Sequence, residues 1–486
     1  MPPRPHFLVL TFPFQGHVAP ALRLARRLLA AAPDALVTFS TTEVAHRRMF
    51  PAAKPDVGDS DSDFDGRLEF LPFSDGTEAG YVARSTATNP DAFNTYMASF
   101  HAAGARSVGG VLDALAARGR PVSRVVYSLL LPWAADVARD RGIPSALYWI
   151  QPVAVFAIYY HYFHGHAAVV HEHRHDPSFQ VQLPGLAPQA VADLPSFLTV
   201  STEPSDPLHS AFTTLRDLFE TLDRERPRAT VLVNTCQELE RGALAAVGAH
   251  DVLPVGPVLP SASGDEDAGI YKPDDDAKYM DWLDAKPAGS VVYVAFGSLA
   301  GMAREQLEEL LLGLEGTGMP YLCVIRKDVR AALSSEVGGA GTDQALAPLK
   351  NGVAVEWCDQ VKVLSHAAVG CFVTHCGWNS VLESVATGVP MVCVPRVSDQ
   401  RMNAQLVERE WRVGVRAQVT DQGIAGLLRA EELRRCVDEV MGDSEAAAEV
   451  RRMAGEWKRA VAEAMGEGGS SGRSLMAFVD GARCAV

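Results

Sequence analysis

Cysteine is missing from the first 230 residues, and the eight that follow, at 236, 323, 358, 371, 376, 393, 436 and 484, form no C-x-x-C and no crowded framework. That excludes a disulfide scaffold and suits reduced thiols in a cytosolic protein. Long hydrophobic runs are missing too. Near the N-terminus only residues 7–12 are continuously apolar before Pro13, too few for a signal sequence and far short of the ~20 residues that span a bilayer. A soluble cytoplasmic protein without a membrane span is expected. Basic charge is in deficit, 44 Lys and Arg against 59 Asp and Glu for a net charge of −15, and such a surface disfavours nucleic acid and anionic membrane as partners. Neither G-x-G-x-x-G after a strand nor G-x-x-x-x-G-K-[ST] occurs, so dinucleotide and P-loop enzymes lose support. The remainder is ordinary: 48% hydrophobic and 21% charged residues over a length of 486 suit a folded chain with two α/β domains.

Residues 7–12 end at Pro13 and Gly16, after which 18–31 recurs at helical spacing through Leu22, Ala25, Leu28 and Leu29, which predicts strand, loop and helix. The pattern repeats at 35–40, 68–71, 124–127, 145–149 and 230–233, with helical stretches such as 132–141 between. Strands without polar alternation predict parallel sheets covered on both faces. Residues 254–276 are rich in Pro, Gly, Ser and acids and predict an exposed linker. Strands resume at 290–296, 321–325, 353–356, 370–374 and 391–394, followed by a helical region from Arg429. The expectation is an α/β chain of two doubly wound domains, at 1–253 and 277–465, joined by a linker at 254–276 and closed by a tail helix within 466–486. Ligands of such sheets sit beyond the carboxyl ends of strands, so the loops after Phe12, Tyr127, Trp149, Phe296, Glu356, Thr374 and Val394 are where chemistry is sought.

Several tempting motifs fail on their chemistry. Gly466-Glu-Gly-Gly-Ser-Ser-Gly-Arg-Ser474 has the wrong spacing for a phosphate loop and Arg473 where the lysine belongs, so a flexible turn before a last helix is expected. Asp61-Ser-Asp63-Phe-Asp65-Gly66 starts like a calcium loop, yet Pro72 stands where the bidentate Glu is needed. Asp265-Glu-Asp267 and Asp274-Asp-Asp276 have no preceding apolar strand and read as solvated loops. His161, His164, His166, His171, His173 and His175 crowd together without a cysteine or well-placed carboxylate, which favours an exposed loop over a metal centre; no metal or other cofactor is expected. His17 differs, because Phe14-Gln15-Gly16-His17 follows the first strand at the start of the first helix. The dipole there favours a neutral imidazole, which suits a base.

The densest signal runs from Trp357 to Gln400. Trp357, followed by Cys358, offers a flat face for stacking a pyrimidine, and Gln360 and Glu383 can hydrogen-bond ribose hydroxyls. His375-Cys-Gly377-Trp378-Asn379-Ser380 leaves a strand and enters a helix, so backbone N–H groups, the helix dipole and the Asn379 and Ser380 side chains converge on a diphosphate without a metal. Asp399 and Gln400 supply an acceptor and donors for sugar hydroxyls. At matching offsets these residues resemble the plant secondary-product glycosyltransferase box of the family 1 UDP-glycosyltransferases. The resemblance covers nearly the whole chain: Phe12-x-x-Gln-Gly-His17, the linker, Phe296-Gly-Ser298, the box and the Gly-Gly-Ser-Ser471 tail fall in the family order. It implies GT-B architecture, with two Rossmann-like domains facing a cleft. UDP-sugar would be held mainly by the C-terminal domain, with Ser298 as a second phosphate contact, and the acceptor by the N-terminal domain, against which the tail packs back. Transfer would invert the anomeric carbon. Gln400 implies UDP-glucose, since galactosyl members often carry His there. The expected enzyme transfers glucose from UDP-glucose to a hydroxyl or carboxyl of a small plant metabolite, a flavonoid, a phenolic or a hormone-like carboxylate, and monomer is its default state. A GT-B-type sugar epimerase would fit the nucleotide site but not Gln15 and His17.

One departure matters. In the family, His17 is usually oriented by an Asp in a stretch resembling D-x-F-x-x-W, whereas Val126-Tyr-Ser128-Leu-Leu-Leu-Pro-Trp133 puts Ser128 there. A serine offers only a dipole, so the imidazolium loses the charge that would stabilise it. Three outcomes are open: another carboxylate reaches His17, the acceptor needs little deprotonation, or turnover is slow or lost and the chain is a UDP-sugar-binding protein. A carboxylic acid with a pKa of ~4.3 is ionised at neutral pH, whereas an aliphatic alcohol needs a base. The Ser-Leu-Leu-Leu-Pro-Trp stretch also resembles the subgroup of anthocyanin 5-glucosyltransferases and glucosyltransferases of plant-hormone carboxylates. The acceptor pocket is expected to involve Phe14, Trp149, Gln151 and Phe156, with Gln151 in reach of the glucose 6-hydroxyl.

Overall fold

Each apolar run of the first half becomes a strand covered on both faces: β1 (His6–Leu10), β2 (Leu36–Ser40), β3 (Leu68–Phe70), β4 (Arg124–Ser128) and β5 (Ser145–Trp149). A short antiparallel pair, β6 (Gln180–Val181) and β7 (Gln189–Ala190), lies apart. Strands β8 (Thr230–Val233) and β9 (Asp251–Pro254) complete a parallel sheet ordered β3-β2-β1-β4-β5-β8-β9. The computed structural model describes residues 4–50, 66–81, 91–260, 276–297, 302–326, 329, 349–420 and 426–483. The acidic motifs at 61–65 and 265–267 and most of the linker lie outside them.

The register sets Val9 beside Phe39 on one side and Val126 on the other, all buried; each such side chain contributes about 1.5–3 kcal/mol of burial. His6, buried at the start of β1, is tolerated there because Thr38 Oγ1 (2.9 Å) and the Arg120 carbonyl (3.0 Å) satisfy its ring nitrogens. The helix Gln15–Ala31 returns over the sheet with Val18, Leu22, Leu24 and Leu28 inward. The chain divides into two units, Met1–Tyr271 with Glu463–Val486, and Lys272–Ala462. The last helix, Ser470–Arg483, therefore belongs to the first unit, where Phe478 meets Phe7 (5.7 Å between centroids), Arg483 pairs with Asp34 (2.6 Å) and the Ser471 hydroxyl donates to the Gly256 carbonyl.

In the second unit β10 (Val291–Ala295), β11 (Tyr321–Val324), β12 (Gly352–Val355), β13 (Val369–Thr374), β14 (Met391–Cys393) and β15 (Gly414–Arg416) form a parallel sheet ordered β12-β11-β10-β13-β14-β15. Its core joins Val292, Val294, Cys371, Val373 and Val392 to Leu310 and Leu314 of the helix Arg304–Thr317 and Leu433 and Val437 of the helix Ala430–Met441. The doubly wound α/β pattern thus occurs twice. Among the described residues no helix is long and apolar enough to cross a membrane.

Two local expectations need correction. Residues 254–258 are not exposed linker: Val255 and Val258 are buried, and the Val258 N–H donates to Asn234 Oδ1 (2.8 Å), which fastens the segment to the end of β8. The histidine stretch is helical, Val153–His161 and Ala167–Glu172, joined by a kinked turn with Gly165 at φ +111°. The Gly466 run makes a turn at 466–469 ahead of the last helix, which begins at Ser470, whose hydroxyl donates to Glu238 (2.8 Å).

Candidate active site

The second unit builds its site at the carboxyl ends of β10, β12, β13 and β14. After β13 the chain turns through His375, Cys376 and Gly377 before the helix Trp378–Thr387 begins. Cys376 adopts φ +63°, an uncommon conformation for a side-chain-bearing residue. Two bonds hold it: its N–H donates to Thr374 Oγ1 (3.2 Å), and its carbonyl accepts from Asn403 Nδ2 (2.8 Å). Among the described residues no side chain caps the helix, and no acid occupies its first turn, so its N–H groups and dipole suit an anion.

His375 is wedged between two glycines. A Cβ at Gly297 would lie 2.6 Å from His375 Nε2, and one at Gly377 2.5 Å. Burial and the positive charge of Arg396 push the pKa of His375 down to about 4, so the ring is neutral at physiological pH. Gly377 has φ −59°, so alanine there strains no backbone and acts through the imidazole alone. Gly377→Ala is expected to displace the imidazole at an overpacking cost of about 1–3 kcal/mol, lowering both the melting temperature by a few degrees and the turnover at this site roughly tenfold; a melting curve and initial-rate kinetics check it.

Gln360 is the hub of a hydrogen-bond cluster at these strand ends. Its Nε2 donates to Ser380 Oγ (2.9 Å) and Glu383 Oε2 (2.8 Å), while its Oε1 accepts from Tyr293 Oη (3.2 Å). Cys358 Sγ lies 3.3 Å from the same Tyr293 oxygen. The structure thus brings together Cys358, Gln360, Ser380 and Glu383, and gives Gln360 the work of orienting the Glu383 carboxylate. Trp357 is half-buried beside this group. Trp378 opens the helix with its ring buried against Trp411 (6.0 Å), so what it can present to a ligand is its backbone at the helix start. Asn379 follows in the first helical turn. Ser298 lies outside the described residues.

After β14, Asp399 is buried and accepts from Asn403 Nδ2 (2.7 Å); burial pushes its pKa up to about 6. Gln400 Oε1 accepts from the Arg396 and Val397 N–H groups (2.9 and 3.1 Å), which leaves its amide N–H groups as donors. Sequence reasoning missed Tyr293 and Asn403, which act on the site through other residues. Only their places, one on the central strand and one in the turn of helix after Asp399, pointed to them.

In the first unit His17 lies in the first turn of Gln15–Ala31, its ring 5.4 Å from Phe12 and 6.4 Å from Phe14. Burial pushes its pKa down to about 4, and no charged group among the described residues acts on it. Its Nδ1 is buried without a hydrogen-bond partner among the described residues. Ser128 does not supply one. Its hydroxyl accepts from the Phe12 N–H (3.3 Å) and lies 3.5 Å from Thr11 Oγ1 and 3.4 Å from the Leu129 carbonyl, so it fastens the strand that leads into His17.

Phe14 is half-buried and meets Tyr81 at 5.7 Å, and Tyr81 meets Tyr96 at 5.4 Å. The Tyr96 hydroxyl donates to the buried Asp75 (3.1 Å). This aromatic wall beside His17 was not anticipated. Trp149 and Phe156 are corrections: both are fully buried, with Trp149 Nε1 bonded to the Pro152 carbonyl (2.9 Å) and Phe156 packed on Trp149 and Phe219. They are core residues. Gln151, half-buried, follows β5. Among the described residues no group of three His, Cys, Asp or Glu is placed to hold a metal ion.

Residues 254–448 match the family described as UDP-glucoronosyl and UDP-glucosyl transferase. The chain is 41% identical to the crocetin glucosyltransferase, chloroplastic, of Gardenia jasminoides, with 98% of this chain and 97% of that protein covered. It is 39% identical to the anthocyanidin 3-O-glucoside 5-O-glucosyltransferase 1 of Perilla frutescens over 98% of each. The crystal structure of Os79 from O. sativa in complex with UDP matches with a TM-score of 0.79 at 30% identity, covering 98% of this chain and all of that one.

Proposed function

The chain belongs to the family of UDP-glycosyltransferases, with their GT-B fold, and is a glycosyltransferase; on that premise we propose that it moves glucose from UDP-glucose, with inversion, onto a carboxylate or acidic phenol of a small plant metabolite. In this reading the second unit holds the donor: Trp357 stacks the uracil, Glu383 accepts from the ribose hydroxyls, the helix start at His375 to Ser380 receives the diphosphate, and Asp399 and Gln400 bind the sugar. Relatives named for crocetin and for an anthocyanidin glucoside support a small plant metabolite as acceptor. Seven buried thiols among the described residues suit a reducing compartment such as the cytosol. The enzyme needs no metal and acts as a monomer.

The observation that carries the acceptor class is the buried, unpartnered Nδ1 of His17. A proton on Nδ1 would be a buried donor without an acceptor, at a cost of about 1–3 kcal/mol. The neutral ring therefore favours the proton on Nε2, the nitrogen not enclosed, which makes His17 a donor. A base with a pKa of about 4 also gives an aliphatic alcohol little help. An acceptor that arrives as an anion needs no base and accepts a hydrogen bond from Nε2–H. Product analysis after incubation with UDP-glucose and a mixture of aromatic carboxylates, flavonoids and aliphatic alcohols checks this: glucose esters or phenolic glucosides of β configuration are expected, and aliphatic glucosides as the main product would contradict it.

The donor site adds a pH dependence. Asp399 titrates at about 6, so as pH falls through that value its carboxylate is protonated and becomes a weaker acceptor for a sugar hydroxyl. KM for UDP-glucose is expected to rise below pH 6, and Asp399→Asn is expected to flatten that limb at a uniformly high KM. His17 and His375, both near 4, do not titrate in this window.

A further inference from the structure

Arg396 carries a charge that its surroundings leave unanswered. It follows β14 in Pro395-Arg396-Val397, half-buried, with its guanidinium donating to Gln306 Oε1 (3.1 Å) and lying 6.0 Å from the centre of the Phe296 ring. Gln306 is itself buried and neutral, fixed by the Leu428 N–H (2.9 Å) and the Leu428 carbonyl (3.1 Å). No carboxylate among the described residues forms an ion pair with Arg396, and Asp399 nearby is bonded to Asn403 instead. Burial lowers the guanidinium pKa, with nothing acting in the other direction. A desolvated cation without a counter-charge is unfavourable unless something anionic completes it.

The surroundings identify that anion. In the sheet β13 lies between β10 and β14, so the loops carrying Phe296 and Gly297, His375 to Gly377, and Arg396 leave adjacent strand ends. The field of Arg396 is felt at His375, and the uncapped helix Trp378–Thr387 starts three residues beyond it. Neutral His375 contributes no charge there.

We propose that Arg396 is the fixed positive charge for the donor's diphosphate and for UDP as it departs, an assignment that rests on the donor site described above. In the transfer the acceptor oxygen bonds to the anomeric carbon while the bond from that carbon to the β-phosphate oxygen breaks, and the phosphate keeps the electron pair. UDP therefore leaves with one more negative charge than it carried in the sugar nucleotide. With a carboxylate acceptor no proton is released. A guanidinium held in place beforehand favours the more charged product of that cleavage without reorganising. Gln306 acts as its positioning residue.

Isothermal titration of wild type, Arg396→Gln and Arg396→Lys with UDP and with uridine tests this, because uridine keeps the stacking and ribose contacts and lacks the phosphates. Arg396→Gln is expected to weaken UDP binding roughly 10- to 100-fold and leave uridine within about twofold, with Arg396→Lys recovering most of the loss. The dependence of UDP affinity on salt should become shallower in the glutamine variant. Equal UDP affinity in wild type and Arg396→Gln would overturn the proposal while leaving the donor site intact. If the glutamine variant loses both ligands, the lysine variant decides: restored UDP affinity supports the charge, and equal loss of UDP and uridine in both variants overturns it. Wild type that binds neither ligand would instead remove the donor reading on which the proposal stands.

Discussion

Glu383→Ala is expected to lower kcat/KM for UDP-glucose by roughly 10²- to 10³-fold, because in the proposed donor site it removes the buried carboxylate assigned to the ribose hydroxyls, and hydrogen bonds to charged groups contribute about 1.5–3 kcal/mol each. The buried position of Glu383 adds to this, since the variant also strands one N–H of Gln360, now 2.8 Å from Glu383 Oε2. Tyr293 and Ser380 would still hold the rest of that amide (3.2 and 2.9 Å), so the site is expected to persist with its ribose acceptor gone. Glu383→Gln separates the two effects: it keeps the shape but turns half the acceptor into a donor facing the Gln360 amide. It is expected to recover little. Initial-rate kinetics with UDP-glucose, together with calorimetric UDP binding, measure both variants.

The second large effect depends on what the acceptor is. With a carboxylate acceptor, His17→Ala is expected to cost roughly 10- to 100-fold in kcat/KM, the worth of one hydrogen bond to a charged group. His17→Gln places an amide N–H near the position of Nε2 and is expected to restore most of that loss. A histidine serving as general base would behave differently, because glutamine cannot accept the proton and the whole base contribution of about 10²–10⁴ would be lost in both variants. The split between alanine and glutamine therefore reads donor against base. It follows from the geometry of one nitrogen, Nδ1, buried beside Phe12 with no partner among the described residues.

Much of this was legible in the chain because parallel sheets buried on both faces leave plain apolar runs. The strands at 7–12, 124–127, 145–149 and 370–374 were visible for that reason, whereas β9 and β15, short and edge-lying, and the tiny pair β6 and β7 gave no period to detect. The residues of the box were visible by type and spacing, but their division of labour was not. Gln360 was expected at the ribose, and the partners arriving from β10 and from the helix Trp378–Thr387, which the spacing could not show, add that it also orients Glu383. Aromatic residues were read least well. Trp149, at the end of β5, and Phe156, in the helix after it, were expected at the acceptor, yet each faces the core, and burial depends on contacts with Phe219 that are distant in sequence. Arg396 drew no attention in the sequence because the lack of a counter-ion is a property of the fold. Ser128 was the opposite case: the substitution was plain from the motif, and the structure adds where its hydroxyl goes, to Thr11 and Phe12 in the segment between β1 and His17.

The central claim is that His17, deprived of a carboxylate, serves acceptors that arrive already ionised. The most direct measurement is the rate of UDP release from UDP-glucose at pH 7.5 across acceptors ranging from carboxylic acids through phenols to aliphatic alcohols, in wild type and in Ser128→Asp, with Ser128→Asn as the neutral control. An aspartate reaching Nδ1 would accept a hydrogen bond from Nδ1–H and so draw the ring's proton from Nε2 to Nδ1, leave Nε2 with the lone pair and raise the imidazole pKa from about 4. Wild type is expected to turn over carboxylates and acidic phenols and to fail on alcohols. Ser128→Asp should gain roughly 10- to 100-fold on alcohols, part of the usual general-base contribution, with no gain on carboxylates and no effect from Ser128→Asn. Wild type that glucosylates aliphatic alcohols as fast as carboxylates, unchanged by either substitution, would contradict the account.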